Sequence, residues 1–204
     1  MTQRSKSARW MMVGLLLPLL LGARRLGDGG MDLQAESRLW VGGTSSVRGW
    51  ECKATTFSAS VESAPNAAAT VLAGAKAVGA VNLTVPVDKM ECGNGQMNGH
   101  MRKALKLEEH PQITFNLTSY ELGRSNDSLL VTMTGSLTLG GSERPIELAG
   151  LAASSTDGAL RVTGTYALKM TDFGLKPPTL MFGRIKVHDL VKVGFDVVLK
   201  DRTQ

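Results

Sequence analysis

Cys52, Cys92 and His100 are the residues of this chain whose types could hold a metal, since thiolates and imidazoles are the ligands of zinc. Zinc sites draw such ligands in pairs a few residues apart, and no Cys or His here has a neighbour of that kind. His100, His110 and His188 are scattered, so a metal site would need distant segments to converge. No metal and no cofactor is expected. Glu108-Glu109 offers two carboxylates for acid–base work, but adjacent residues at a helix end do not face one another, and the pair reads as solvated charge. Asp172, in an irregular stretch, reads as a turn or cap residue. The chain contains no G-x-S-x-G turn, no H-E-x-x-H helix and no glycine-rich phosphate loop. No catalytic residue is expected, and the protein is read as not an enzyme.

The two cysteines acquire a role from the start of the chain. Arg4, Lys6 and Arg9 precede an apolar run, Trp10 to Leu21, of the length of a signal-peptide core and too short to span a membrane. Gly22-Ala23 is a small-residue cleavage site, although Leu21 is larger than such sites prefer. Residues 1–23 are therefore expected to be a cleaved export signal, with a retained N-terminal anchor as the alternative, and the mature protein periplasmic or secreted. In that oxidising setting an even pair, Cys52 and Cys92, is most simply a disulfide, with free thiols or part of a metal site as the alternatives. Removing the signal also takes three of 23 basic residues and no acid, leaving 20 against 18 acidic ones. The high pI of the full sequence thus carries no nucleic-acid signal, and no basic stripe interleaved with aromatics is present.

The elements that must position these residues follow from hydrophobic periodicity. Residues 24–37 are polar and glycine-rich and predict a flexible linker before a domain at 38–200. Residues 46–62 predict one long strand bent at Gly49, and 63–74 a loop. Val81, Leu83, Val85 and Val87 alternate with polar residues, as do Leu129 to Leu139 and Leu160 to Met170, and Asp189 to Leu199 reads as a closing strand. Between Val85 and Phe115 the pattern changes. Gly93, Asn94 and Gly95 break the strand, and Met97, Met101, Ala104 and Leu105 fall on one side of a short helix that His110-Pro111 ends.

About eight such strands, each with one apolar face, must bury that face in a sandwich or a closed barrel, and long strands joined by hairpins favour the barrel. The expected fold is all-β, an eight-stranded antiparallel barrel with one short helix inserted between two strands. Aromatics are only 5% of the residues, so the interior is lined by small aliphatic side chains and methionines and can leave an apolar space. Methionines gathered around the inserted helix suit a surface that accepts variable apolar guests, or a core that needs its gaps filled.

The chain resembles the YceI-like family of small exported lipid-binding proteins, which implies a lipocalin-like form of that eight-stranded antiparallel barrel. The likeness rests on Gly43-Thr44-Ser45-Ser46 with Trp50, on His100-Met101-Arg102 and His110-Pro111-Gln112-Ile113-Thr114-Phe115, and on Thr134 to Leu139 with Arg144-Pro145-Ile146. Met170-Thr171-Asp172-Phe173-Gly174 and the closing strand Val191 to Leu199 complete it. The Cys52/Cys92 pair and the Trp40 to Trp50 opening depart from the family's usual pattern. The resemblance implies a long apolar partner, a polyisoprenoid, isoprenoid quinone or fatty chain, held inside the barrel for storage, transport or stress protection. The alternatives are an enzyme acting on a lipid or quinone, and a filled barrel with a structural role. Trp50, Phe57, Met90, Met97 and Met101 are expected to line or gate the space, as are Leu105, Phe115, Met133, Phe173 and Phe182. The expected partners include no nucleic acid; membrane contact is expected to be transient, and a homodimer stays open.

Overall fold

A computed structural model of the chain describes residues 29–125 and 128–202. The expected export signal at 1–23, the first linker residues and Asn126 and Asp127 lie outside them. In chain order the strands are β1 (Gly29–Leu33), β2 (Arg38–Ser45), β3 (Gly49–Ala54), β4 (Ser58–Ser63), β5 (Val78–Pro86) and β6 (Met90–Glu91). They continue as β7 (Gln112–Ser125), β8 (Ser128–Leu139), β9 (Ser142–Ser154), β10 (Leu160–Lys169), β11 (Thr179–Leu180) and β12 (Ile185–Asp201). Two α-helices, α1 (Ala67–Leu72) and α2 (Gly95–Ala104), interrupt them.

The ring β1-β4-β5-β7-β8-β9-β10-β12 closes on itself, because β12 pairs antiparallel with β10 along one edge and with β1 along the other. Closure leaves no free edge in the ring and makes an eight-stranded antiparallel barrel. β2 and β3 extend the same wall toward one end, with β2 on β12 and β3 on β2. β1 and β2 are thus two pieces of one long wall strand, and β3 and β4 two pieces of the next.

β12 shows why the sequence takes this form. Ile185, Val187, Val191, Val193, Phe195 and Val197 face inward, while Lys186, His188, Lys192 and Lys200 are exposed. A period of two with one apolar phase has no other way to bury its apolar half. Close approach sets two glycines: a Cβ at Gly135 would lie 2.6 Å from the ring of Phe115, and one at Gly164 would collide with the ring of Phe195. Both rings lie flat on the wall as a result.

Three expectations need correction. Residues 29–33, read as linker, are β1, and Met31 is completely buried. The glycines there do not mark flexibility: a Cβ on Gly29 would sit 2.7 Å from the Ser63 carbonyl. Residues 46–62 are not one strand. Trp50 and Cys52 face inward on β3, but Ala59 and Val61 do so on β4, so the break at Thr55–Phe57 changes the phase from even to odd. The stretch 63–74, read as a loop, contains α1, which buries Ala67, Ala68 and Val71. Its first amides, Ala67 N–H and Ala68 N–H, donate to the carboxylate of Asp201 at 2.9 and 3.1 Å. A helix of alanines has little hydrophobic contrast, and its N-terminus is satisfied by a residue at the far end of the chain.

α1 closes one end of the barrel. Its buried residues pack with Met31, Val61, Leu129, Leu160 and Leu199 in a continuous cluster. Beside it the hydroxyl of Tyr120 accepts from Ala77 N–H at 2.8 Å and from Val78 N–H at 3.1 Å, fixing the start of β5. Tyr120 faces inward only because the register of β7 shifts between Leu117 and Ser119.

Candidate functional site

The barrel encloses a cavity of about 640 Å³. Its wall extends along β12 from Ile185 to Leu199, roughly 35 Å of barrel axis at ~3.3 Å per residue and a ~40° strand tilt. Most of the wall is Val, Leu, Ile, Met and Phe. Among the described residues the ionisable side chains on it are Arg48, His100 and Tyr166. A water needs polar partners, and this wall offers few of them. The space therefore favours an apolar guest.

α2 is part of this wall. β5 stays beside β7 only up to the Pro86–Gln112 pair, after which the chain crosses to β3 as β6. α2 follows and stands in the gap. Met97, His100, Met101, Ala104 and Leu105, at helical spacing, face the cavity. Asn94 caps the helix, its side-chain oxygen accepting from Met97 N–H at 2.9 Å. Asn98 is buried and ties the helix back to β6: its oxygen accepts from Cys92 N–H at 2.7 Å, and its amide donates to the Glu91 carboxylate. A disulfide between Cys52 and Cys92 joins β3 to the segment just before the helix. Both cysteines lie on the cavity wall, 1% and 6% exposed.

The end opposite α1 carries the opening. Its rim is the β2–β3 turn with Ser45, Val47 and Arg48, the cavity face of α2 with Met97 and His100, and the β11–β12 hairpin with Pro178 and Leu180. The segment leading to that hairpin is anchored by Asp189, whose carboxylate accepts from Thr171 Oγ1–H at 2.6 Å and Thr171 N–H at 2.9 Å. These bonds, the hydroxyl first, hold the Asp189 carboxyl below its usual range. A lowered folded value means that the tie adds stability above the ordinary carboxylate pKa of about 4 and is lost as pH falls through the lowered value.

Of the ten residues expected at the site, Trp50, Met90, Met97, Met101, Leu105, Phe115 and Met133 are on the cavity wall. Three are not. Phe57 lies in the break between β3 and β4, half-buried against the Cys52–Val85–Met90–Cys92 cluster. Phe173 is buried in the wall cluster with Ile146 and Leu168, and meets Arg144 and Leu190 away from the cavity, because strand alternation ends at Met170. Phe182 is fully exposed at a hairpin tip. The aliphatic majority of the wall, such as Leu39, Val41, Leu83, Leu168 and Val193, was written in the strand alternation and passed over in favour of methionines and rings. Arg48 and His100, the charged and titratable side chains of the rim, were not expected there, because neither carries a sequence pattern that points to the cavity.

His110 lies against Gly141, and His188 Nδ1 shares a hydrogen bond of 2.8 Å with Thr44 Oγ1, so the three histidines occupy separate places. Among the described residues no three metal-ligating side chains converge.

Residues 34–199 match the YceI-like domain family. The fold is similar to the crystal structure of Burkholderia cenocepacia BcnA, at 19% identity and a TM-score of 0.66 over 84% of this chain and 100% of that one. It is also similar to a polyisoprenoid binding domain from Saccharophagus degradans implicated in plant cell wall breakdown, at 16% identity and a TM-score of 0.62 over 86% of this chain and 99% of that one. The Campylobacter jejuni YCEI protein matches at 19% identity and a TM-score of 0.55 over 75% and 85% of the two chains. Among curated proteins no relative matches. Identities this low speak for the fold alone.

Proposed function

The chain belongs to the YceI-like family, and on that premise we propose that it is an exported binding protein that holds one long apolar chain, a polyisoprenoid, isoprenoid quinone or fatty chain, inside the barrel. The observation that carries this reading is the 640 Å³ cavity, apolar along its length, stopped at one end by the buried cluster around α1 and open at the other. Burial of each methylene contributes about 0.8 kcal/mol before the cost of association. A narrow tube of this kind rewards length. Arg48 and His100 at the rim are placed to meet the polar end of such a molecule, a phosphate or carboxylate. The related Saccharophagus degradans domain is described as polyisoprenoid binding, which supports the same class of guest here. The Cys52–Cys92 disulfide suits an oxidising compartment and supports export. A wall whose ionisable groups are Arg48, His100 and Tyr166, with no carboxylate among the described residues, suits holding a molecule better than acid–base work on it.

Native mass spectrometry of the purified protein, before and after organic extraction, tests the proposal. The expected result is a bound lipid mass that extraction removes, after which the empty protein takes up an apolar fluorophore. Protein that carries no lipid and takes up no probe overturns it.

A further inference from the structure

Two exposed turns meet beside the opening, and both carry apolar side chains into solvent. Val47, on the β2–β3 turn, is 67% exposed; Met181 and Phe182, at the tip of the β11–β12 hairpin, are 64% and fully exposed. The turns are fastened together: Ser46 N–H donates to the Lys186 carbonyl at 2.9 Å, and Lys186 N–H donates to Ser46 Oγ at 3.1 Å. They form one platform.

The hairpin tip has the wrong residues for a turn that serves only to reverse the chain. Met181 and Phe182 have φ of +50° and +55°, and Gly183 N–H bonds back to the Leu180 carbonyl at 3.1 Å. Gly183 follows at φ +88° and Arg184 N–H bonds to the Met181 carbonyl at 3.2 Å, so the four-residue tip contains a run of left-handed residues, a conformation that Gly and Asn take readily and bulky side chains do not. Placing Met-Phe there is costly to the fold and leaves both side chains largely in solvent. Such strain, paired with an exposed ring, marks a surface that meets something outside the molecule.

Charge says what. From Gly174 to His188 the chain has Lys176, Arg184 and Lys186 and no acid; from Thr44 to Trp50 it has Arg48 and no acid. All four basic residues are exposed, and none is within 4.0 Å of a carboxylate of the described residues. An exposed aromatic and methionine on segments whose charges are basic suit the headgroup layer of an anionic bilayer, the ring in the acyl boundary and the cations among the phosphates. We infer that this platform docks the protein, opening first, on an anionic membrane surface, so that an apolar chain can pass between the bilayer and the barrel. The purpose of docking rests on the lipid-binding reading of the cavity; the docking itself rests on the platform.

Hydrogen exchange on the full chain mixed with vesicles locates the contact independently of the apolar stretch Trp10 to Leu21. With vesicles of phosphatidylcholine and phosphatidylglycerol at low salt, amides of 44–50 and 174–188 are expected to slow, and with phosphatidylcholine alone to remain as in free protein. The variant Met181→Asn with Phe182→Gly, which gives the turn its preferred residues, is expected to melt at the same or a higher temperature while needing at least tenfold more lipid for half protection. Arg184→Glu with Lys186→Glu is expected to weaken it by more than roughly 25-fold, at about fivefold per basic residue. Unslowed tip amides, equal slowing on neutral vesicles, or a Met181→Asn/Phe182→Gly variant that docks like the parent each overturn the inference. So does a dimer, seen by ultracentrifugation, that this double variant dissolves, since the platform then meets a second copy. Lipid retained in native mass spectrometry with no tip protection sinks docking alone; tip protection with an empty, probe-refusing barrel sinks the cavity reading alone.

Discussion

Met101→Asp is expected to cost the protein its apolar guest while leaving its fold. Met101 is half-buried on α2, with its side chain on the cavity wall between those of Met97 and Leu105. In the empty protein a carboxylate at this position, near the opening, keeps water. When a chain fills the tube that water must leave, and an ionised group without partners in an apolar site is penalised by several kcal/mol. Affinity is expected to fall at least 100-fold, about 2.7 kcal/mol. The fold loses only a partly buried methionine and some helix propensity, on the order of 1 kcal/mol, which for a chain of this size lowers the melting temperature by about 3 °C. Fluorophore titration set beside a thermal melt reads both. Loss of fold and binding in equal measure assigns α2 to the core instead of the gate.

Cys52→Ala with Cys92→Ala is expected to be the most destabilising change considered for this protein. The disulfide closes a loop with a sequence separation of 40, which limits the freedom of the unfolded chain by about 4 kcal/mol in the chain-entropy account. Both sulfurs are buried, so the alanines also leave unfilled space in the cluster with Val85 and Met90. At 2–4 °C per kcal/mol the melting temperature is expected to drop by roughly 10 °C. The same change frees the start of α2 from β3, leaving Asn94 and Asn98 to hold it, and the probe is expected to leave the cavity faster. Calorimetry of the double variant against the parent decides it, and a change below ~3 °C shows that the loop was already restrained without the bond.

Much of the barrel was legible because β8, β10 and β12 obey one rule, an apolar residue at every second position. The lining they provide was legible for the same reason, and so was the helical face of Met97, Met101 and Leu105. What escaped was decided by contacts between remote segments. β1 reads as a tether, since Gly29-Gly30 looks flexible until one knows that the β4 backbone lies against it. α1 has alanines where a helix normally advertises its face, and its cap is Asp201. The change of phase between Cys52 and Ala59 depends on how a break of a few residues is folded, which alternation does not encode. Phe173 and Phe182 illustrate the remaining error: a large ring in an irregular stretch has no phase to place it, and one ended inside the wall while the other ended in solvent.

The floor formed by Val61 and Leu199, with α1 packed in the cluster behind them, has a consequence for which molecules are kept. A tube open at both ends would accept a chain of any length and let the excess emerge. A tube with a floor is a gauge. Each added carbon deepens binding until the chain spans the distance from that floor to the rim at Arg48 and His100, and further carbons gain nothing because they stand outside. Affinity plotted against chain length then climbs and levels off, and the position of the plateau is set by where the buried cluster around α1 stops the cavity, far from the opening through which the molecule came.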